Sequence, residues 1–392
     1  MFFLSNFGNF FQFLFQIFSA RFFLPEDISL FGSINSLYIL ISAPIFIIPL
    51  LVARLFESDI KFNHILNYLC KLLSLFILFL FFVALLFNGH IKELLNISDQ
   101  IYLNYGYATI ILSFAIASCF GILQGLKKFT YFGILHFFSL SSKFVLLLIF
   151  YQYDQKVDLL FISTILGIIL NIFIFIFFMR KDITTEFFER YDFKNLSKIF
   201  FDFSYIYLIT SVILVFITNI DVFLSRVFLD EYNSGLYIVG SSFSKIPLFL
   251  TLTLVYVLFP ELKKGEKNSI ILLISLSFVF FSSLIISMIF LFYGEIILGF
   301  IYGDKYLSLN HSVLILIPAF SLLNMSNMLM MQFIKNNYFE HIFGFVLLTI
   351  IFGIISFVFL NNITQLSFFV LIYTLFFFLF NILIYLTKNY KS

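Results

Sequence analysis

The chain has 392 residues, of which 62% are hydrophobic and 11% charged, and its net charge is +2. A mean hydropathy of +1.08 excludes a soluble globular domain, which at this length needs more polar surface. The near-neutral charge argues against nucleic acid or an acidic macromolecule as partner, and Cys70 and Cys119, both inside apolar runs, form neither a disulfide framework nor a zinc pattern.

A membrane-spanning helix needs about 20 mainly apolar residues, and the chain offers twelve such runs. In chain order they lie near 4–23, 30–53, 66–87, 101–123, 132–151 and 158–179, then 201–224, 235–259, 269–293, 311–334, 341–360 and 366–387. No small-residue cleavage site follows the first run, so it reads as an anchor rather than a cleaved signal. Between the sixth and seventh runs lies a sizeable polar segment, 180–200, with Arg180, Lys181, Asp182, Glu186, Glu189, Arg190, Asp192, Lys194 and Lys198. The chain thus divides into a first lobe (1–179), a linker (180–200) and a second lobe (201–392).

Lys and Arg set the orientation. Sixteen of them, including Arg54, Lys71, Lys127, the linker cations, Lys263 and Lys388, fall on one side. Five fall on the other: Arg21, Lys92, Lys156, Arg226 and Lys305. The first side is therefore expected to be cytoplasmic, with both termini inside. The halves also repeat each other. Phe87-Asn88-Gly89-His90-Ile91 recurs as Phe292-Tyr293-Gly294-Glu295-Ile296, Ser29-Leu30-Phe31 as Gly235-Leu236-Tyr237, and Leu123-Gln124 as Met331-Gln332, at offsets of 205, 206 and 208 and at equivalent connections between spans. Six spans per half give both repeats the same orientation, related by an axis along the membrane normal, as in transporters whose site lies between the halves. The expected fold is all-α: about 12 transmembrane helices in two parallel six-helix repeats around a central cavity.

Polar residues inside such helices face other helices or water. The first run carries Ser5, Asn9, Gln12, Gln16 and Ser19 at alternating spacings of four and three, which keeps them on one face. The seventh run carries Ser204, Tyr207, Ser211, Thr218, Asp221 and Ser225, and the 206-residue offset lays Gln12 on Thr218 and Ser19 on Ser225. These faces either line a hydrated cavity or hydrogen-bond between helices. Lys143, with His136 and Ser139 on its face, and Lys245, one turn after Ser241, lie deep in the fifth and eighth runs. An uncompensated charge there costs about 2.5–3.5 kcal/mol on insertion scales. One lysine from each half suits an anionic headgroup, with snorkelling or a structural ion pair as the alternatives. Asp221 is the candidate coupling carboxylate, unless it pairs locally with Arg226. Asn324 and Asn327 read as helix-packing residues, and Pro44, Pro49, Pro247 and Pro318 can break or kink their spans. No phosphate-binding loop, zinc-protease or nucleophile-elbow motif is present, and His64, His90, His136, His311 and His341 show no metal spacing. No catalytic residue, metal or cofactor is expected.

Ala20-Arg21-Phe22-Phe23-Leu24-Pro25-Glu26-Asp27-Ile28-Ser29-Leu30-Phe31 resembles the segment after the first helix of bacterial oligosaccharide flippases, the polysaccharide biosynthesis or O-antigen transporter family. Leu24 and Ser29 stand at positions usually held by glycine. Ile220-Asp221 through Gly235-Leu236-Tyr237, and Gly121-x-x-Gln124-Gly125 with Lys127 and Phe129, fit the same family. The resemblance implies the multidrug/oligosaccharidyl-lipid/polysaccharide exporter superfamily and alternating access. It implies translocation of a polyprenyl-pyrophosphate-linked oligosaccharide across the bacterial inner membrane for surface polysaccharide, with possible coupling to an H+ or Na+ gradient. Partners would be this lipid-linked oligosaccharide, membrane lipids and other polysaccharide-assembly membrane proteins. On that reading Lys143, Lys245, Arg21, His136, Gln12, Gln16, Asn9 and Thr218 are candidate substrate contacts. A cation-coupled drug exporter of the same superfamily, a membrane polymerase or acyltransferase, and a lipid II flippase are the competing readings.

Overall fold

The computed structural model of the protein describes residues 2–57, 62–180, 205–247, 269–336 and 338–390. No strand occurs among them. Thirteen α-helices follow in chain order: α1 (Phe2–Phe22), α2 (Pro25–Ile41), α3 (Ile48–Glu57), α4 (Phe62–Leu94), α5 (Gln100–Gly125), α6 (Phe129–Tyr151), α7 (Asp158–Met179), α8 (Tyr205–Phe228), α9 (Glu231–Ser244), α10 (Ser269–Tyr302), α11 (Asn310–Asn336), α12 (Glu340–Phe359) and α13 (Ile363–Tyr390). Short 3-10 turns occupy Ala43–Ile47 and Asp304–Leu309. Linker residues 181–200 and the 248–259 half of the eighth run lie outside the described residues, as do the linker cations beyond Arg180 and Lys61, Lys263, Lys264, Lys267 and Lys391.

Nine of the described helices are long and apolar enough to cross a membrane, or ten if the bent pair near the start counts as one span. That pair corrects the expectation of a single helix over 30–53. The chain bends by 60° between Pro25–Ile41 and Ala43–Ala53, because Pro44 and Pro49 have no N–H to carry the helical ladder through the turn. Ser42 holds the break: its N–H donates to the Tyr38 carbonyl (2.8 Å) and its carbonyl accepts from the Ile45 N–H (2.7 Å).

Two further boundaries differ from the sequence reading. Helices α4 and α10 run for 33 and 34 residues, about 50 Å at 1.5 Å per residue, against a hydrocarbon core of about 30 Å. Both continue past the apolar runs through Phe87–Ile91 and Phe292–Ile296, so this repeated motif lies within helices and not at connections. The other repeated pairs fall on α2 and α9, and on α5 and α11. The starts of α2 and α9, 206 residues apart, are capped by related chemistry. Asp27 accepts from the Leu24 N–H at 3.3 Å, with Pro25 as first helical residue. Asp230 caps α9 by accepting from the Asn233 N–H at 3.2 Å. The Leu24-Pro25-Glu26-Asp27 signature is thus a helix N-terminus.

The chain forms two compact units. Unit 1 comprises residues 1–23 and 34–208, and unit 2 comprises 24–33 and 209–392. In unit 1, α1 lies parallel to α6: Phe7 stacks on Phe137 (6.0 Å), Phe11 meets Phe144 (6.0 Å) and Phe18 meets Tyr151 (5.3 Å). Gly8 permits the approach, since a Cβ there would stand 3.2 Å from the Phe137 Cα. In unit 2, α11 is buried along most of its length, with Leu316, Ala319, Phe320, Leu323, Leu329 and Phe333 in the core beside α13 residues Val370, Tyr373 and Phe377. Large apolar side chains are exposed along α4 (Leu75, Leu78, Phe82, Leu86) and α10 (Leu273, Phe281, Phe292). Such surfaces are stable in lipid and not in water.

Within unit 2 the first turns of α2 pack against α9 so closely that a Cβ on Gly235 would lie 1.8 Å from the Pro25 carbonyl oxygen. Backbone on both sides leaves no side chain to yield. We expect Gly235→Ala to lower the amount of folded protein in membranes several-fold, whereas Gly89→Ala, with nothing within 4 Å, leaves it unchanged. Fluorescence-detected size exclusion of tagged variants measures both.

Candidate functional site

On α1, Gly8, Gln12, Phe15 and Ser19 recur at spacings of four, three and four, and so share one face. Gly8 abuts the His136 carbonyl and Phe137 of α6, and the Lys143 Nζ sits 5.1 Å from the centroid of the Phe15 ring. Gln12 therefore stands between the levels of His136 and Lys143 on the face turned to α6. Two buried atoms here have no hydrogen-bond partner among the described residues: Gln12 Oε1 and His136 Nδ1. The His136 ring packs beside those of Phe120 (5.9 Å) and Phe132 (6.4 Å). Lys143 is half-buried, 14 residues after the start of α6 and eight before its end. Its ammonium lies over the Phe15 ring face, a cation–π contact. No carboxylate pairs with it among the described residues.

Behind Lys143, α7 approaches closely at Gly167, where a Cβ would lie 3.1 Å from the Lys143 N. Asn171, fully buried, donates from Nδ2 to the Gly167 carbonyl (2.7 Å) and to Ser142 Oγ (3.3 Å). Sequence reading missed Asn171. Its signal was available: it is the one amide in the apolar run from Leu159 to Met179.

Unit 2 treats its lysine differently. Helix α9 ends at Ser244 with Lys245 as its C-cap, the Lys245 N–H donating to the Ser241 carbonyl at 3.1 Å. The eighth run is thus interrupted where a continuous helix was expected, and Lys245 lies at a helix end instead of mid-helix. Its Nζ donates to Asp221 Oδ1 at 3.2 Å, and both groups are buried. Asp221 Oδ2 also accepts from Ser241 Oγ (2.5 Å) and Tyr237 OH (3.4 Å). The Lys245 Nζ further lies 4.8 Å from the Phe320 ring centroid on α11. Asp221 is the only acidic side chain fully buried among the described residues, and its donors satisfy it. Arg226, one turn beyond, does not pair with it. Arg226 donates to Ser29 Oγ (3.0 Å) and to Glu231 Oε1 (2.7 Å).

The other candidates are dispersed. Asn9 and Arg21 are exposed, Gln16 is half-buried, and Ser19 Oγ donates to the Phe15 carbonyl at 2.7 Å. Thr218 Oγ1 bonds the Leu214 carbonyl of its own helix. Ser225 meets Ser234 of α9 at 3.1 Å, and Thr210 meets His341 of α12 at 2.8 Å. Much of the α8 polar face is therefore spent on its own backbone and on α9 and α12. The side chains of Ser5, Ser204 and Tyr207 lie outside the described residues. No group of three or more metal-ligating side chains occurs among the described residues.

No family model matches the chain, and no curated protein matches its sequence. Solved structures do. The lipid II flippase MurJ in an inward closed conformation superposes with a TM-score of 0.75 at 16% identity, covering 97% of this chain and 87% of that one. An inward-facing multidrug resistance MATE family transporter of the MOP superfamily gives 0.71 at 13% identity, covering 99% and 96%. The Vibrio cholerae MATE transporter VcmN in its bent form gives 0.61 at 14% identity, covering 98% and 94%. The chain has the fold of these transporters, that of a multi-pass membrane protein, and its regular structure is all helical among the described residues.

Proposed function

We propose that the protein is a transporter that moves a polyprenyl-pyrophosphate-linked oligosaccharide across the bacterial inner membrane by alternating access, for surface polysaccharide assembly. Lys143 carries this reading. A half-buried ammonium deep in a span, with no carboxylate beside it among the described residues, is costly unless it meets an anion or water during function. A pyrophosphate headgroup is such an anion. Likeness of fold to a lipid II flippase over 97% of the chain supports a lipid-linked substrate, and likeness to transporters favours transport over a membrane polymerase or acyltransferase. Gln12, His136, Gln16, Asn9 and Arg21 are proposed to meet the headgroup or the sugars beside Lys143. Lys245 and Thr218 stand as lesser candidates, because each already has a partner in unit 2.

The likeness to MATE transporters favours one second reading, a cation-coupled drug exporter with Asp221 as coupling carboxylate. Against it, Asp221 already holds Lys245, Ser241 and Tyr237. Deletion of the gene separates the two. Loss of surface polysaccharide with build-up of lipid-linked precursor on the cytoplasmic leaflet is expected. Raised drug accumulation with polysaccharide unchanged would select the exporter. Both termini are proposed to be cytoplasmic, so a topology reporter fused after Lys198 should report cytoplasm.

A further inference from the structure

A second polar cluster in unit 1 stands apart from Lys143, where α5 and α7 begin. Asp99 caps α5, its Oδ1 accepting from the Ile101 N–H at 3.0 Å. One turn on, Tyr105 stacks on Phe161 of α7 with ring centroids 5.5 Å apart and planes 26° from parallel. Tyr102 packs against both rings, at 6.4 Å from Tyr105 and 5.7 Å from Phe161. Both tyrosines remain part-exposed, and Asn104 between them is exposed. Asp158, the first residue of α7, lies within electrostatic reach of Tyr105, as does Asp99.

Two further charges face Asp158 from the loop before α7, Asp154 and Lys156, but these pair with each other at 3.2 Å. The Asp154 carboxyl is held below the usual carboxylate range by the Gln155 N–H, then by Lys156. For Asp158, Lys156 is an electrostatic neighbour and not a hydrogen-bond donor. The Asp158 Oδ1 is buried with no hydrogen bond among the described residues. A buried carboxylate oxygen normally has a donor, and an orphan beside part-exposed aromatic rings calls for one from outside. Tyrosines at a membrane interface serve as lipid anchors without a buried acid beside them, so anchoring alone does not account for Asp158.

We propose that this end of unit 1 is a carbohydrate-binding surface, in which Tyr105 and Tyr102 stack on the C–H face of a pyranose and Asp158 accepts from its hydroxyls. Amphipathic rings and a few placed polar groups are what such a ligand requires. Lys143 lies eight residues before the end of α6, about 12 Å along its axis from this end. Sugars attached to an anion held at Lys143 have that distance to cover. The inference rests on the reading of the substrate as a glycan-bearing lipid, and it adds where the glycan is recognised.

Saturation-transfer NMR on the full chain in nanodiscs tests it, with methyl pyranosides of gluco, galacto, manno and 2-acetamido-gluco configuration as probes. We expect transfer to the ring C–H protons of at least one probe, reduced five-fold or more by Asp158→Asn and by Tyr105→Leu. Tyr105→Phe, which keeps the ring face, should retain it. Asp158→Asn is nearly isosteric, so the test survives if Tyr105→Leu does not fold. Absence of transfer from all four probes overturns the proposal, as does equal transfer in the variants. Transfer seen only with added calcium also overturns it, by assigning the carboxylates to a metal. If Lys143→Ala abolishes translocation while no probe binds, this inference falls and the transport reading stands. If a probe binds at Asp158 and Tyr105 but gene deletion leaves surface polysaccharide unchanged, the transport reading falls and the binding site stands.

Discussion

Lys143→Met should reduce translocation of the lipid-linked oligosaccharide by roughly 10- to 150-fold, the loss of one charge-assisted contact worth about 1.5–3 kcal/mol. The protein level should hold or rise. Removing an ammonium from a span lifts an insertion cost of about 2.5–3.5 kcal/mol, and a methionine thioether can take the ammonium's place against the Phe15 ring. Activity and stability are thus expected to move in different directions, which a structural lysine would not produce. Lys143→Arg keeps the charge and should retain part of the transport. Translocation in proteoliposomes and thermal midpoints of the purified variants supply the two readouts. A stable Lys143→Met with full transport removes Lys143 from the substrate path.

The opposite pattern is expected for the lysine of unit 2. Lys245 and Asp221 neutralise each other, so replacing either alone strands a buried charge at a cost of about 3–5 kcal/mol. Asp221→Asn retains a side chain for Ser241 and Tyr237 to bond but leaves the Lys245 ammonium uncompensated. Its thermal midpoint should fall by several degrees and its level in membranes should drop. The double variant Asp221→Asn/Lys245→Met removes both charges and should recover most of that loss. If the two single effects merely add, the pair is not coupled. Transport by the double variant also bears on coupling: full activity would leave Asp221 with no part in it.

Much of the architecture was legible because a bilayer demands long apolar helices, and apolar runs are visible residue by residue. The repeat was legible too, since the α2 and α9 starts carry their capping chemistry locally, in Asp27 and Asp230. Helix ends were less so. Asn88–Leu94 and Glu295–Tyr302 are helical beyond the apolar windows, because a backbone once in helix continues through polar residues until a breaker or a cap stops it. The 60° bend after Ile41 was foreshadowed by Pro44 and Pro49, although Pro318 sits inside the unbroken helix α11.

The candidate residues divide in the same way. Lys143, Lys245 and Asp221 stood out in the sequence because charge is costly in a membrane wherever it lies. Their roles did not, because a partner is set by distance and not by order along the chain. Arg226 is five residues from Asp221 yet turns to Ser29, 197 positions away, while Lys245 reaches Asp221 from another helix. By itself, the sequence determined that this chain is a two-fold repeated bundle of membrane helices with two lysines in its apolar segments. Only the tertiary structure decided that one lysine is neutralised by a buried carboxylate while the other lies against a phenylalanine ring. Hydrophobicity is a property of each residue, whereas charge compensation belongs to pairs that packing brings together.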